Sequence, residues 1–310
     1  MNYPTIDFRR ETVIYIQQLD RSPITKGSYR RILNSFNDYI ESNCLPCPKK
    51  EDIIVYKYFL KHTASLSATT IQKVVVVLRG FFEYLAINEI YPNIMLGVRG
   101  EKISKTFKRS SLAIPQLARL ISVAKQLATN LEGKRNYALI SLIATTGLRT
   151  IEVERANKTD LSKNGDINIL FIQGKGRDDK SDYVKLSDHV YQIIESYLLD
   201  REDDNDALFV THARNYKNKR LTTRTIRGIV KQLLRKIGID DPHFSAHSLR
   251  HSFATNLIKS GGSLEEAQLI LRHKDLSTTM IYNHSIDRES NNGELKISEL
   301  IFNKGGRHGK

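Results

Sequence analysis

Between residues 5 and 90 the apolar residues recur every three or four positions, the period of one helix face. The clearest run is Tyr29, Ile32, Leu33, Phe36, Tyr39 and Ile40. A second is Ile71, Val74, Val75, Leu78, Phe81, Phe82 and Leu85, where the β-branched stretch Val74–Val77 favours a strand by propensity but the helical period passes straight through it. A denser apolar helix is expected over 51 to 62 and a weaker one over 8 to 19. The outward faces of these four helices carry Lys26, Arg30, Arg31, Lys57, Lys61, Lys73 and Arg79. For any one of these charges, a solvated surface is the plainer reading.

From Tyr91 to about Leu112 the period lapses. Pro92, Gly97 and Gly100 are followed by Lys102, Lys105, Lys108 and Arg109, a composition that reads as a flexible basic linker. The expected organisation is a helical domain over 1–92, a linker over 93–112 and a second domain over 113–310. The second domain opens with a helix over 115 to 129, led by Pro115. Another over 134 to 147 stops at Gly147. Ile167, Ile169 and Phe171 alternate as a strand does, and Tyr183 to Leu186 form another; the loop QGKGRDDKSD between them carries Lys175. Helices follow over 187 to 199 and 222 to 237, with the short apolar segment ALFV at 207 to 210 between them. The fold class is therefore mainly α, with a small antiparallel β-sheet in the C-terminal domain. The helix over 222 to 237 aligns Arg224, Arg227, Lys231 and Arg235 into a basic stripe, on an element that a DNA major groove admits. A solvated amphipathic face is the alternative.

Charge sharpens this picture. The 310 residues include 48 Lys+Arg against 34 Asp+Glu, a formal net charge of +14. Such an excess favours a polyanion, because neutralising phosphates releases condensed counterions; ribosomes and membrane surfaces attract it too. No apolar run reaches the roughly 18 residues of a membrane span, and MNYPTIDFRRE lacks the apolar core of a secretory signal. A soluble, intracellular protein is expected. Cys44 and Cys47, in CLPC, have no second Cys or His pair nearby to complete a metal site and read as loop thiols.

The stretch from 245 to 284 carries the candidate chemistry. His247 and Arg250 stand one helical turn apart, His273 follows, and Tyr282 lies nine residues further on. A guanidinium, two imidazoles and a phenol together suggest chemistry on an anion, with a phosphodiester the leading candidate. Taken with Arg149 in TGLRTIE, Lys175 in GKGR and the run HSLRHSFAT, the order and spacing over 113 to 284 resemble the tyrosine site-specific recombinases of the phage integrase family. The N-terminal helices are similar to that family's core-binding domain.

The resemblance implies roles. Arg149 and Arg250 grip the non-bridging oxygens of the scissile phosphate, as a planar, permanently charged fork suits. His273 adds a donor, and His247 donates to the phosphate or moves the tyrosine proton. Tyr282 is the nucleophile, forming a 3′-phosphotyrosine, and Lys175 protonates the leaving 5′ oxygen, with Lys180 in the same loop the alternative acid. Glu152 matches a supporting acidic position, while His251 and His284 read as structural. One departure stands out: Arg272 occupies the position before His273, where the family usually has the glycine that eases a tight turn. DNA contacts are expected from Arg224, Arg227, Lys231, Arg235, Lys105, Lys108, Arg109, Arg30 and Lys73.

The resemblance further implies double-stranded DNA as partner, a homotetramer on two sites, no metal and no cofactor. It places the enzyme in the cytoplasm on nucleoid DNA, away from membranes. An accessory DNA-bending protein is a further candidate partner. In the tail, Leu295, Ile297, Leu300 and Ile301 form a short amphipathic pattern expected to pack on a neighbouring subunit. No arm-binding domain is evident before the helical pattern, which points to integration and excision of a compact mobile element or to dimer resolution. A type IB topoisomerase, a telomere resolvase and a DNA-binding regulator on the same fold are the alternatives.

Overall fold

Helix starts are written into the sequence as short polar caps, and the structure uses them. In the computed structural model, which describes residues 3–103, 111–174, 179–213, 215, 217–272, 297–298 and 301, the Asp7 side chain accepts from Arg10 N at the start of α1 (Phe8–Gln18). Ser22 caps α2 (Pro23–Ser42), whose first residue is a proline with no N–H to leave unpaired. Ser67 caps α4 (Ala68–Ile87), and α3 (Lys50–His62) lies between them. The chain divides into two compact units, Met1–Thr106 and Phe107–Lys310.

In the first unit α4 supplies the centre of the core. Val75, Val77, Leu78, Phe81, Phe82 and Leu85 are fully buried, so the valine run is helical, as its period requires. The Phe82 ring lies 5.9 Å from Phe36, 6.2 Å from Phe8 and 6.1 Å from Tyr91. The stretch after α4 is not loose where the sequence reads as a linker. Tyr91, Ile94, Met95 and Val98 are buried in this same core, and Tyr91 Oη donates to Pro48 O at 2.8 Å. Part of the outward basic set secures this stretch: Arg79 donates to Val98 O, Lys57 to Arg99 O, and Lys61 pairs with Glu101 at 3.1 Å. Arg30 remains exposed, and Lys73 donates to Ser28 Oγ at 2.6 Å. Lys105, Lys108 and Arg109 lie outside the described residues.

The second unit begins with α5 (Ile114–Gln126), which has Pro115 in its first turn, and α6 (Leu131–Thr146), capped by Asn130. Helix α6 is buried on nearly every side from Ala138 to Ala144 and forms the spine of the larger core. After α7 (Thr150–Arg155) and a 3-10 turn (Lys158–Asp160), three antiparallel strands follow in the order β1 (Leu161–Asn164), β2 (Ile167–Ile172), β3 (Asp182–Leu186). Leu170 lies opposite Leu161 on one side and Val184 on the other.

The strand over β2 is where the alternation places it, but its inward face differs. Asn168, Leu170 and Ile172 point in, Ile169 is also covered, and Ile167 and Phe171 are exposed. The buried Asn168 amide donates to Asp188 Oδ1 at 2.7 Å, which satisfies a polar group in that layer. Helices α8 (Asp188–Leu199), α9 (Thr223–Lys236), α10 (Ala246–Lys259) and α11 (Leu264–Leu271) follow. The start of the unit is laced to α10, since Leu112 N donates to Ser252 Oγ and Asn256 Nδ2 donates to Leu112 O.

Phe82 is fully buried among rings from three other segments. Phe82→Ala is therefore expected to destabilise the first unit by about 3–5 kcal/mol, measured as a lower urea midpoint of helix unfolding.

Candidate active site

The site is built on the turn that ends α6. Gly147 caps that helix with φ 64°, in the left-handed region that favours glycine. A Cβ there would stand 2.9 Å from both Leu271 and Phe253, so the position also needs the close approach that glycine alone permits. Two residues on, Arg149 is the N-cap of α7, and Glu152 reaches back to it. Glu152 Oε2 accepts from Arg149 N at 2.8 Å, the carboxylate arm of a capping box, and Oε1 accepts from Arg149 Nη1 at 2.8 Å. The sequence TGLRTIE thus folds into a glycine stop, a new helix start and an Arg–Glu pair.

Helix α10 faces this turn with polar residues in buried positions: Ser248, Arg250, His251, Ser252 and Thr255. Arg250 is only 1% exposed. Its Nη1 donates to Gly147 O at 2.6 Å and its Nη2 to Leu271 O. Those carbonyls lie at the C-terminal ends of α6 and α11, where helices leave acceptors unpaired and carry partial negative charge. Arg250 therefore ties two helix ends together and brings a positive charge to within 4.0 Å of Glu152.

A third guanidinium joins them. Arg272 ends α11 with φ 55° and ψ 48°, so the arginine adopts the same left-handed turn that a glycine would. Its Nη2 lies 3.0 Å from Glu152 Oε2. Glu152 has no exposed surface. Burial pushes its carboxyl up, but the Arg272 charge, the Arg149 N–H and the Arg149 guanidinium outweigh that and hold it below its ordinary value. Among the described residues, three cations around one carboxylate leave an excess of two positive charges at the site.

The expected site residues lie at different depths. The Arg149 side chain is a quarter exposed, His247 is exposed one turn before the buried Arg250, and Glu152 lies beneath. Lys175, His273, Tyr282 and His284 lie outside the described residues. Both ends of the β2–β3 loop are braced: Arg155 donates to Gly174 O at 3.2 Å, and Lys180 Nζ pairs with Asp160 Oδ2 at 2.5 Å. On α9, Arg224 and Arg227 are exposed opposite the buried Ile226, Ile229 and Leu233, whereas Lys231 and Arg235 both engage Asp240. The basic stripe is thus open in its N-terminal half and partly offset in its C-terminal half, where two cations share one carboxylate. Sequence reasoning missed Arg272 as a partner of Glu152; its departure from glycine was the available signal.

The sequence profile of the Phage integrase family matches residues 111–289, more than half of the chain. The chain belongs to the phage integrase family. As a member of the phage integrase family it is a tyrosine recombinase, and its helical fold with a three-stranded sheet is the fold of that family's solved structures. It is similar to the tyrosine recombinase XerD of Oceanobacillus iheyensis, at 28% identity over 295 residues covering 90% of this chain and 94% of that protein. In three dimensions it is similar to the XerH site-specific recombinase bound to a palindromic difH substrate in a post-cleavage complex. The TM-score is 0.73 at 24% identity, over 94% of this chain and 85% of that one. The Tn1549 transposon integrase in complex with a circular intermediate DNA gives a TM-score of 0.71 at 18% identity, over 94% and 99%.

Gly147→Ala adds a side chain at positive φ against Leu271 and Phe253. It is expected to cost about 2–4 kcal/mol, read as a lower denaturation midpoint of the second unit.

Proposed function

We propose that this enzyme cleaves and rejoins double-stranded DNA at specific sites through a 3′-phosphotyrosine. The observation that carries the reading is the arrangement of Arg149 and Arg250 around Glu152. It keeps an excess of positive charge where TGLRTIE and HSLRHSFAT meet, with the Arg149 side chain a quarter exposed. The Tyr282 Oη attacks the scissile phosphorus and the bond to the 5′ oxygen breaks. That oxygen takes a proton from Lys175, and the phosphotyrosine stores the bond until a 5′-hydroxyl attacks in reverse. A phenol with a pKa of about 10 is largely neutral at pH 7. Its proton therefore has to leave toward a neighbouring group, a role given to His247. Arg149, Arg250 and His273 stabilise the charge that gathers on the phosphorus oxygens. The Lys180–Asp160 pair supports Lys175 over Lys180 as the acid, because Lys180 is already committed to a carboxylate.

Sequence readout falls to the exposed half of the α9 stripe, Arg224 and Arg227, with backbone contacts from Lys231, Arg235, Arg30, Lys73 and the 104–110 segment. The active assembly is a homotetramer on two sites. Ile297 and Ile301, both exposed and four residues apart, support docking of the tail on a neighbouring subunit. Near end-to-end similarity to XerD-type recombinases supports a simple recombinase that resolves or excises DNA between paired sites. Among the described residues no helix is long and apolar enough to cross a membrane, and we place the reaction on chromosomal DNA in the cytoplasm.

The test is covalent capture. Incubation with native host DNA followed by denaturing isolation is expected to recover protein–DNA adducts that share one sequence. Tyr282→Phe should abolish them and Arg149→Ala should slow their formation by about 10²–10³-fold. Adducts that persist in Tyr282→Phe, or none from the wild type, would refute this function.

A further inference from the structure

At Arg272 the backbone and the side chain make opposite demands. Its φ of 55° lies in a region that side chains disfavour and that glycine would occupy without strain. Whatever the arginine adds must therefore come from its guanidinium. That group is drawn inward: the side chain is 13% exposed, Nη2 lies on Glu152 Oε2, Nη1 donates to Ile270 O at 2.7 Å, and Nε is buried without a hydrogen-bond partner among the described residues. A buried N–H left unsatisfied is costly, so attraction to a charge holds the group in place, and the charge it meets is Glu152. Among the described residues, the charged groups that face Glu152 are Arg149 from the start of α7, Arg250 from α10 and Arg272 from the end of α11. The two carboxylate oxygens divide the work. Oε1 holds the Arg149 guanidinium, while Oε2 takes the Arg149 N–H and Arg272.

We propose that Arg272 is a positioning residue for DNA cleavage: by fixing Glu152 through Oε2, it leaves Oε1 to hold the Arg149 guanidinium toward the scissile phosphate. Both terminal nitrogens of Arg272 are engaged within the protein, Nη1 with Ile270 O and Nη2 with Glu152, and the route by which it acts is Glu152. The inference rests on the reading of the chain as a DNA-cleaving tyrosine recombinase.

Two measurements on the full chain separate the proposal from that reading. The first needs no DNA: the Glu152 carboxyl is followed by carbon NMR during an acid titration. Arg272 supplies the largest of the interactions that lower this carboxyl. In Arg272→Gly its midpoint is expected to move up, and Arg272→Lys, which keeps the charge, should return it toward the wild type. An unmoved midpoint in Arg272→Gly overturns the proposal.

The second is the rate of adduct formation on sheared host DNA. Arg272→Gly should slow it by about 10²-fold with unchanged noncovalent DNA affinity, and the acid limb of its rate profile should rise in step with the Glu152 midpoint. Because glycine suits the turn, the thermal midpoint of Arg272→Gly reports any loss of fold separately. A slower rate with an unshifted acid limb would place the effect on the adjoining His273 and overturn the proposal. A shifted Glu152 midpoint with no Tyr282-dependent adduct from the wild type would instead overturn the recombinase reading.

Discussion

A single carboxylate, that of Glu152, has no exposed surface and is surrounded by arginines from three separate elements. An ion taken out of water is several kcal/mol too costly to tolerate unless it is paired and hydrogen-bonded. The fold meets that demand by converging the start of α7, the middle of α10 and the end of α11 on one point. Because the folded carboxyl is held below its ordinary value, its contribution to stability is present above an unfolded pKa of about 4.3. That contribution is lost as pH falls through the lower folded value. The same charge balance that secures the fold leaves net positive charge beside the partly exposed Arg149, where an anionic substrate gains from it.

Arg250 performs a second structural task with the same guanidinium. By donating to Gly147 O and Leu271 O it satisfies carbonyls at two helix ends, where the helix itself leaves acceptors without partners. Gly147 makes this possible twice over: its left-handed turn aims its carbonyl at α10, and its missing side chain lets Leu271 and Phe253 close in. Residues proposed for catalysis are thus also the residues that join α6, α10 and α11. Substitution at Arg250 would remove a proposed phosphate donor and a packing tie together, whereas the more exposed Arg149 separates the two roles better.

Much of this was legible in the sequence, because the long helices repeat their apolar positions and announce their starts with Ser, Thr, Asp or Asn. The family motifs placed Arg149, Glu152, His247 and Arg250 in order, and the structure gathers Arg149 and Arg250 around the Glu152 carboxylate. What escaped has physical causes. Strand β1, Leu161–Asn164, is short and half polar, so it shows no alternation. In β2 the sequence INILFI is apolar at most positions of both faces, and the inward Asn168 misdirects any hydrophobicity-based choice of face. Tyr91 to Val98 has no helical period yet is buried, because burial of an irregular segment leaves no periodic trace. Arg272 belongs to the same class. Its position could be flagged as unusual, but its contact with a residue 120 positions earlier exists only after folding.

The most direct measurement is the single-turnover rate of adduct formation by Glu152→Gln on a duplex containing the sequence recovered from wild-type adducts. Glutamine keeps the size and much of the hydrogen bonding of Glu152 but removes the charge on which the three arginines converge. Glu152→Gln is expected to lose about 10²-fold in rate with DNA affinity retained, since the side chain has no exposed surface with which to touch DNA. A Glu152→Gln enzyme that folds and cleaves at the wild-type rate would show that the buried carboxylate does not organise the site.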